Sequence, residues 1–140
     1  MARAIASFEV TGWDQGEAEP DAGGPGGPTL SHATVLKRFG GDLVAESEAR
    51  LLMCQADVAD IAAGAGYIAR EVVRGALAGR EGTFVMQHWG LSASGREQTG
   101  GQIVPGSATG DLKGLTGSVE IAVDGDGAHT LTIDYELPDA

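Results

Sequence analysis

The sequence is short of cysteine, aromatic residues and basic residues. One cysteine, Cys54, excludes a disulfide within the chain, and we expect it to be a small buried apolar residue. Three Phe, two Tyr and two Trp leave most of any core to aliphatic side chains. Nine Lys and Arg against 20 Asp and Glu give a formal net charge of -11, which argues against nucleic acid or an anionic membrane as partner.

Long hydrophobic runs are also missing. The N-terminus, M-A-R-A-I-A-S-F-E-V-T, has no apolar segment of secretory length, and no run approaches the roughly 18 apolar residues of a membrane-spanning helix. These absences predict a cytoplasmic protein without membrane contact. The 140 residues fit a single domain, 1–140.

Glycine, in contrast, is abundant, with 23 residues. Between residues 75 and 119 glycines separate short apolar runs, which is typical of turns and bends between β-strands. Residues 15–28 hold three of the five prolines together with five glycines and predict a long loop. Such a loop forms either a lid or rim over a site or plain surface.

Alternation of apolar and polar residues predicts further strands. Residues 4–13 and 29–39 alternate in part, and H-T-L-T-I-D-Y-E-L at 129–137 alternates throughout, after a D-G-D-G turn at 124–127. These segments are also rich in the β-branched and aromatic residues that favour strands.

The segment 43–77 has two interpretations. Its alanine content favours a helix, and some of its apolar residues are spaced for a helical face. However, L-V-A-E-S-E-A-R-L and Y-I-A-R-E-V-V-R-G alternate with the period of a strand. We interpret 43–55 and 67–77 as strands joined by a turn at 56–66.

The count reaches about eight strands. An antiparallel sheet of that size usually closes into a barrel, because closure removes both exposed edges. The sequence therefore predicts an all-β fold, a closed eight-stranded antiparallel β-barrel with a long Gly/Pro loop after the first strand. The default site is a pocket inside the barrel.

Motifs along nearly the whole chain resemble a bacterial family of small barrel proteins of unassigned function. They are F-E-V-T-G-W-D at 8–14, F-G-G-D at 39–42, A-R-E-V-V-R-G-A-L-A-G-R-E-G-T-F-V-M-Q-H at 69–88, V-P-G-S-A-T-G-D-L-K-G-L-T-G at 104–117 and T-I-D-Y-E-L at 132–137. That family's barrel is similar to the barrel of plant allene oxide cyclase, whose Y-E-I-N-E-R-D and G-S-G-x-F-x-G-x-x-G motifs resemble the first and fourth of these. Spirotetronate cyclases look more distantly related, through L-K-G-L-T-G.

The relatives with known activity close rings without a cofactor, so the resemblance implies a cofactor-free cyclase. It carries the glutamate of the first cyclase motif onto Glu9 and the asparagine two positions later onto Thr11, whose hydroxyl can still hold a water or a substrate oxygen. The neighbours Phe8 and Val10 would ordinarily face the interior, which leaves Glu9 in solvent.

The residues themselves point to two further candidates for proton transfer, Glu71 and His88. Glu71 alternates with Arg70 and Arg74, so it faces inward if the arginines face water, and burial would then raise its pKa. The other interpretations of Glu71 are a structural ion pair, or a strand whose opposite face is the inward one. An inward glutamate without a partner would tolerate Glu→Gln without loss of stability. His88 shares a strand face with Met86, and histidine ordinarily titrates near neutrality. The other interpretation of His88 is a hydrogen-bonded structural histidine or an exposed one.

We expect the scarce aromatic residues to gather around a pocket or a subunit interface. The predicted substrate-binding residues are Thr11, Trp13, Tyr67, Phe84, Met86 and Tyr135. No metal is predicted, because no two histidines have metal-ligand spacing and the D-G-D-G turn lacks the glutamate of a calcium loop.

Two functions fit these observations. In the first, the barrel is a cofactor-independent cyclase or isomerase that folds a small, largely apolar substrate and moves a proton with Glu9, Glu71 or His88. In the second, the cavity binds or carries a small hydrophobic ligand without catalysis. The ionisable candidates favour the enzyme slightly, and a homo-oligomer, dimer or trimer, is left open.

Overall fold

The computed structural model describes residues 1–19 and 24–138 as a closed barrel of eight antiparallel strands. Each strand pairs with the next in the chain, and the last pairs with the first. The strands are β1 (Ala2–Gln15), β2 (Thr29–Gly41), β3 (Leu43–Gln55), β4 (Ala65–Leu77), β5 (Arg80–Ala93), β6 (Arg96–Ile103), β7 (Thr116–Val123) and β8 (His129–Glu136). The predicted all-β barrel is confirmed.

Alternation prevails over helix propensity in the segment 43–77. β3 has the predicted bounds and β4 begins two residues before the predicted start, at Ala65. Along much of both strands buried and exposed residues alternate, because successive side chains point alternately into the barrel and toward solvent. The predicted loop 15–28 includes residues 20–23, which lie outside the described residues.

Apolar side chains fill the end of the barrel where β1 begins, which we call the closed end. The connection from β6 to β7 plugs this end, since its Leu112 and Leu115 are buried in the same cluster. The backbone N–H of Thr109 donates to the carbonyl of Thr83 at 2.8 Å, which fixes the plug against β5. Other fully buried members include Leu43, Leu77, Phe84, Leu131 and Ile133.

The opposite end is less filled, and we call it the open end. Its buried apolar cluster consists of Ala33, Val35 and Ala49, with Leu51 and Met53 only partly buried beside it. β8 pairs with β1 only up to Phe8, so the rest of β1 rises beyond β8 at this rim. Among the described residues no helix has the length and apolar character needed to cross a membrane.

We predict that Gly75→Ala destabilises the barrel by about 3 kcal/mol, since overpacking and backbone strain each cost about 1–3 kcal/mol. A Cβ on Gly75 would collide with the carbonyl oxygen of Val44 and lie 2.6 Å from the Cα of Ala45, and its φ is 157°. Gly40→Ala is the control, because its Cβ would meet nothing within 4 Å. Urea unfolding measures both, and equal stability of the two variants would contradict the prediction.

Candidate functional site

Four polar side chains form a layer inside the barrel, between the two apolar clusters. Lys37, Ser47, Glu71 and His88 lie on the inward faces of β2, β3, β4 and β5, and each is at most 8% exposed. Lys37 pairs with Ser47 across β2 and β3, whereas Glu71 and His88 reach the same layer diagonally. Tilted strands in a barrel bring diagonal neighbours together in this way.

Glu71 is the centre of this layer. One carboxylate oxygen, Oε1, accepts hydrogen bonds from Nζ of Lys37 at 2.9 Å and from Nε2 of His88 at 2.8 Å. The other, Oε2, accepts from the hydroxyl of Ser47 at 2.6 Å. The Lys37 ammonium also lies 4.7 Å from the centre of the Phe8 ring, a cation–π contact.

The partners of Glu71 reverse the effect of its burial on its pKa. Burial raises the pKa of the Glu71 carboxyl, but the hydrogen bond from His88, the positive charge of Lys37 and the hydrogen bond from Ser47 together lower the pKa from 4.5 to about 2. The predicted raised pKa of Glu71 is therefore wrong, because the sequence did not show its partners. At neutral pH Glu71 is a carboxylate and has no proton to give.

The charge of Glu71 fixes the direction of a hydrogen-bond chain. A carboxylate only accepts, so Nε2 of His88 is the donor, and in a neutral imidazole Nδ1 is then an acceptor. The hydroxyl of Tyr67 lies 3.2 Å from Nδ1, and toward the neutral imidazole it is the donor. The chain therefore runs from hydroxyl to imidazole to carboxylate, the order that activates a hydroxyl in many enzymes.

Tyr67 connects this chain to a cavity at the open end. The cavity has a volume of about 300 Å³, and its lining includes Met53, Tyr67, Thr99 and Ile121. Burial, together with the negative charges of Glu71 and Glu97, raises the pKa of the Tyr67 hydroxyl, which keeps it protonated at neutral pH. Tyr67 is thus the member of the chain that a ligand in the cavity can touch.

A larger groove, of about 870 Å³, runs along the outer face of the barrel. Leu52, Ile68 and Trp89 lie in one row across β3, β4 and β5, and each is exposed. We base the candidate site on the smaller inner cavity, because the outer groove is bordered by solvent-exposed side chains whereas the inner cavity adjoins the buried polar layer.

The residues assigned through the cyclase resemblance lie apart from this layer. Glu9 is exposed on the outer surface, where its carboxylate lies 3.6 Å from the guanidinium of Arg38. Thr11 and Trp13 are exposed at the open end of β1, beyond its pairing with β8. Alternation along the strand turns Glu9 outward because Phe8 takes the inward position.

The other predicted binding residues are spread through the molecule. Phe84 and Met86 are buried in the apolar cluster of the closed end, and Tyr135 packs against that cluster. Of the predicted set, Glu71, His88 and Tyr67 are joined by hydrogen bonds, and Met86 lies directly opposite Glu71 across β4 and β5. Among the described aromatic residues Tyr67 lines the inner cavity, whereas Phe84 is in the core and Trp89 is exposed on the outer face, so they do not gather around this cavity. Their gathering at a subunit interface stays a prediction.

Two members of the site, Lys37 and Ser47, were not predicted. Ser47 shares the inward face of β3 with Ala45 and Ala49. Lys37 could have been found from alternation, since Val35, Lys37 and Phe39 share one face of β2. Among the described residues no cluster of three or more His, Cys, Asp or Glu is arranged to hold a metal ion.

Comparison with known proteins identifies the family. The family model described as "Protein of unknown function (DUF3224)" matches residues 4–135. The chain belongs to the DUF3224 family. A crystal structure of a DUF3224 protein with unknown function, from Shewanella oneidensis MR-1, is 32% identical, covers 99% of both chains and superimposes with a TM-score of 0.84. No curated protein matches the sequence.

The lowered pKa of Glu71 predicts a loss of stability in acid. A group whose pKa falls on folding stabilises the protein above its unfolded pKa, and this contribution disappears as the pH drops through the folded pKa. For Glu71 that window runs from pH 4.5 down to about 2 and corresponds to about 3 kcal/mol. The difference in unfolding free energy between wild type and Glu71→Gln should shrink by this amount between pH 6 and pH 2. A difference independent of pH would contradict the assignment.

The pairing of Glu71 with Lys37 changes the effect expected of Glu71→Gln. A buried lysine left without its carboxylate destabilises a protein by about 3–5 kcal/mol, so the single variant Glu71→Gln should unfold more easily. Replacement of an unpaired glutamate would instead cause no loss of stability. The double variant Lys37→Met/Glu71→Gln should recover much of the loss. Glu9→Gln, which removes one of the exposed carboxylates beside Arg38, is the control and should change stability by less than about 1 kcal/mol. Additive effects of the two buried substitutions would refute the coupling.

Proposed function

We propose that this protein is a cofactor-independent isomerase or cyclase that moves a proton on a small, largely apolar substrate held at the open end of the barrel. The observation that carries the proposal is the chain from the Tyr67 hydroxyl through His88 to the buried carboxylate of Glu71. An ionised group inside a protein is expensive unless paired, and clusters of this kind are concentrated at functional sites.

Each residue has one role in this proposal. The Tyr67 hydroxyl contacts the substrate, His88 receives a proton from Tyr67, and Glu71 holds the imidazole in one tautomer and stabilises its protonated form. Lys37 and Ser47 keep Glu71 ionised and in place. Glu71 is thus a positioning residue, because its pKa of about 2 makes it a weak base and its carboxylate does not line the cavity.

The raised pKa of Tyr67 favours a concerted transfer. A free phenolate is unfavourable here, so the proton of a substrate C–H bond reaches Oη as the tyrosine's own proton passes to Nδ1 of His88. The electron pair of the C–H bond remains on the substrate as an enolate-like system. The proton then returns through Tyr67 to another substrate atom, so atoms and electrons balance without a cofactor.

The resemblance to allene oxide cyclase supports the class of reaction. The residues proposed to carry out the reaction differ from those that the resemblance assigns. It favours ring closure in a barrel without a cofactor, yet the glutamate it assigns, Glu9, is exposed on the outer surface. The proposed chemistry therefore belongs to the layer around Glu71. The apolar wall of the cavity would select the folded conformer of a flexible substrate, which supplies rate by positioning.

One observation supports the alternative function, a ligand carrier: the hydrogen bonds of the polar layer are all made within the protein. Within the described residues every buried side-chain nitrogen and oxygen has a hydrogen-bond partner. The interior therefore needs no polar ligand to satisfy it, and an apolar molecule can bind by burial of its surface alone.

Deuterium exchange on a simple ketone separates the two functions. We predict that the protein speeds the exchange of the α-protons of 2-octanone in D₂O, followed by proton NMR, and that Tyr67→Phe lowers the catalysed rate by about a hundred-fold or more. The variant should still bind the ketone, because only the hydroxyl is removed. Tyr135→Phe is the matched control, since Tyr135 packs at the closed end. A bound ketone that exchanges no faster than in buffer would contradict the enzyme and support the carrier.

A further inference from the structure

The cavity at the open end has an uneven charge. Among the described residues that line it, Glu97 is the one with a full charge at neutral pH, and the rest are apolar or neutral polar. Glu97 precedes Thr99 by two positions on β6, and because side chains alternate along a strand, both face the barrel axis. It pairs with Ser92 of β5 at the rim.

Among the described residues that line this cavity, none carries a positive charge to balance Glu97 at the rim. The positive charge nearest the interior, Lys37, is bound to Glu71, so the two charges cancel in the polar layer. The neighbour of Glu97 along the chain, Arg96, starts β6 and alternation turns it to the opposite face. The net charge of -11 adds a negative field over the whole molecule.

We propose that this cavity accepts neutral or cationic apolar molecules and disfavours carboxylates, and that Glu97 determines the selectivity. The proposal rests on the site of the proposed function and names the class of its substrate. A carboxylate whose apolar tail lies between Met53 and Ile121 would leave its charged end at the rim, close to Glu97. An ammonium in the same place would be attracted.

The exposure of Glu97 limits the size of the effect. Two charges about 4 Å apart in a water-like environment change a dissociation constant by about fivefold, and salt screens part of this. The selectivity is therefore modest for any one ligand. The selectivity is measurable as a ratio of dissociation constants within a series of ligands that share one apolar tail and differ in the head group. In this ratio the contribution from burial of the tail cancels.

The series n-octanol, n-octylamine and n-octanoate tests the proposal at pH 7 by NMR titration of the backbone amides at the open end. In wild type octanoate should bind about fivefold or more weakly than octanol, and octylamine at least as tightly as octanol. Glu97→Gln should strengthen octanoate binding by about fivefold, weaken octylamine binding and leave octanol unchanged. The effect of Glu97→Gln on these affinities should decrease at 0.5 M salt, because the screening length there is roughly threefold shorter than at 0.05 M.

Glu81→Gln is the matched control, because Glu81 is an exposed glutamate near the start of β5, at the closed end. It removes the same net charge and should leave all three affinities unchanged. The proposal is overturned if wild type binds octanoate as tightly as octanol, or if Glu81→Gln changes the ratios as much as Glu97→Gln does. The proposed function would fail on a different result, namely a rate of deuterium exchange that Tyr67→Phe does not alter.

Discussion

The ion pair between Lys37 and Glu71 is the interaction on which the arrangement of the interior depends. A lone carboxylate with no exposed surface would be protonated or would unfold the barrel, because the transfer of a charge out of water costs several kcal/mol. With Lys37, Ser47 and His88 around it, Glu71 is ionised and fully hydrogen-bonded. Four strands contribute to this layer, so the pair also fixes how β2 to β5 sit relative to one another.

A pair of this kind is weak evidence for stability as such. Replacement of buried ion pairs with apolar residues of similar size is often neutral or stabilising, because the desolvation penalty disappears along with the attraction. The closed end shows that this chain can fill a barrel with apolar side chains alone. A polar layer one step further along the same strands is therefore not needed to fill the barrel, and the function proposed above gives it a role beside the cavity.

Sequence periodicity was sufficient for the barrel and for part of the site. Alternation located the strands even where alanine favoured a helix, because the period of two sets which side chains are buried, whereas helix propensity is a weaker preference. It also turned Glu71 and His88 inward. The pKa of Glu71 could not be obtained in this way, since it depends on Lys37, a residue 34 positions earlier on another strand. Contacts between strands follow from register and barrel tilt, which a single sequence does not specify.

The same limit explains why Glu9 and Glu71 differ so sharply. Both are glutamates on strands, and both were reasonable candidates for proton transfer. On β1 the adjacent Phe8 takes the inward position, which leaves Glu9 against Arg38 in solvent, where an ion pair is weak and the carboxylate behaves ordinarily. On β4 the inward position is held by Glu71 itself. A carboxylate that is ionised, buried and hydrogen-bonded to an imidazole is a weak base, but it can hold the imidazole in position to act as one. In the proposed function the hydroxyl of Tyr67 is then the group through which this pair acts on a ligand.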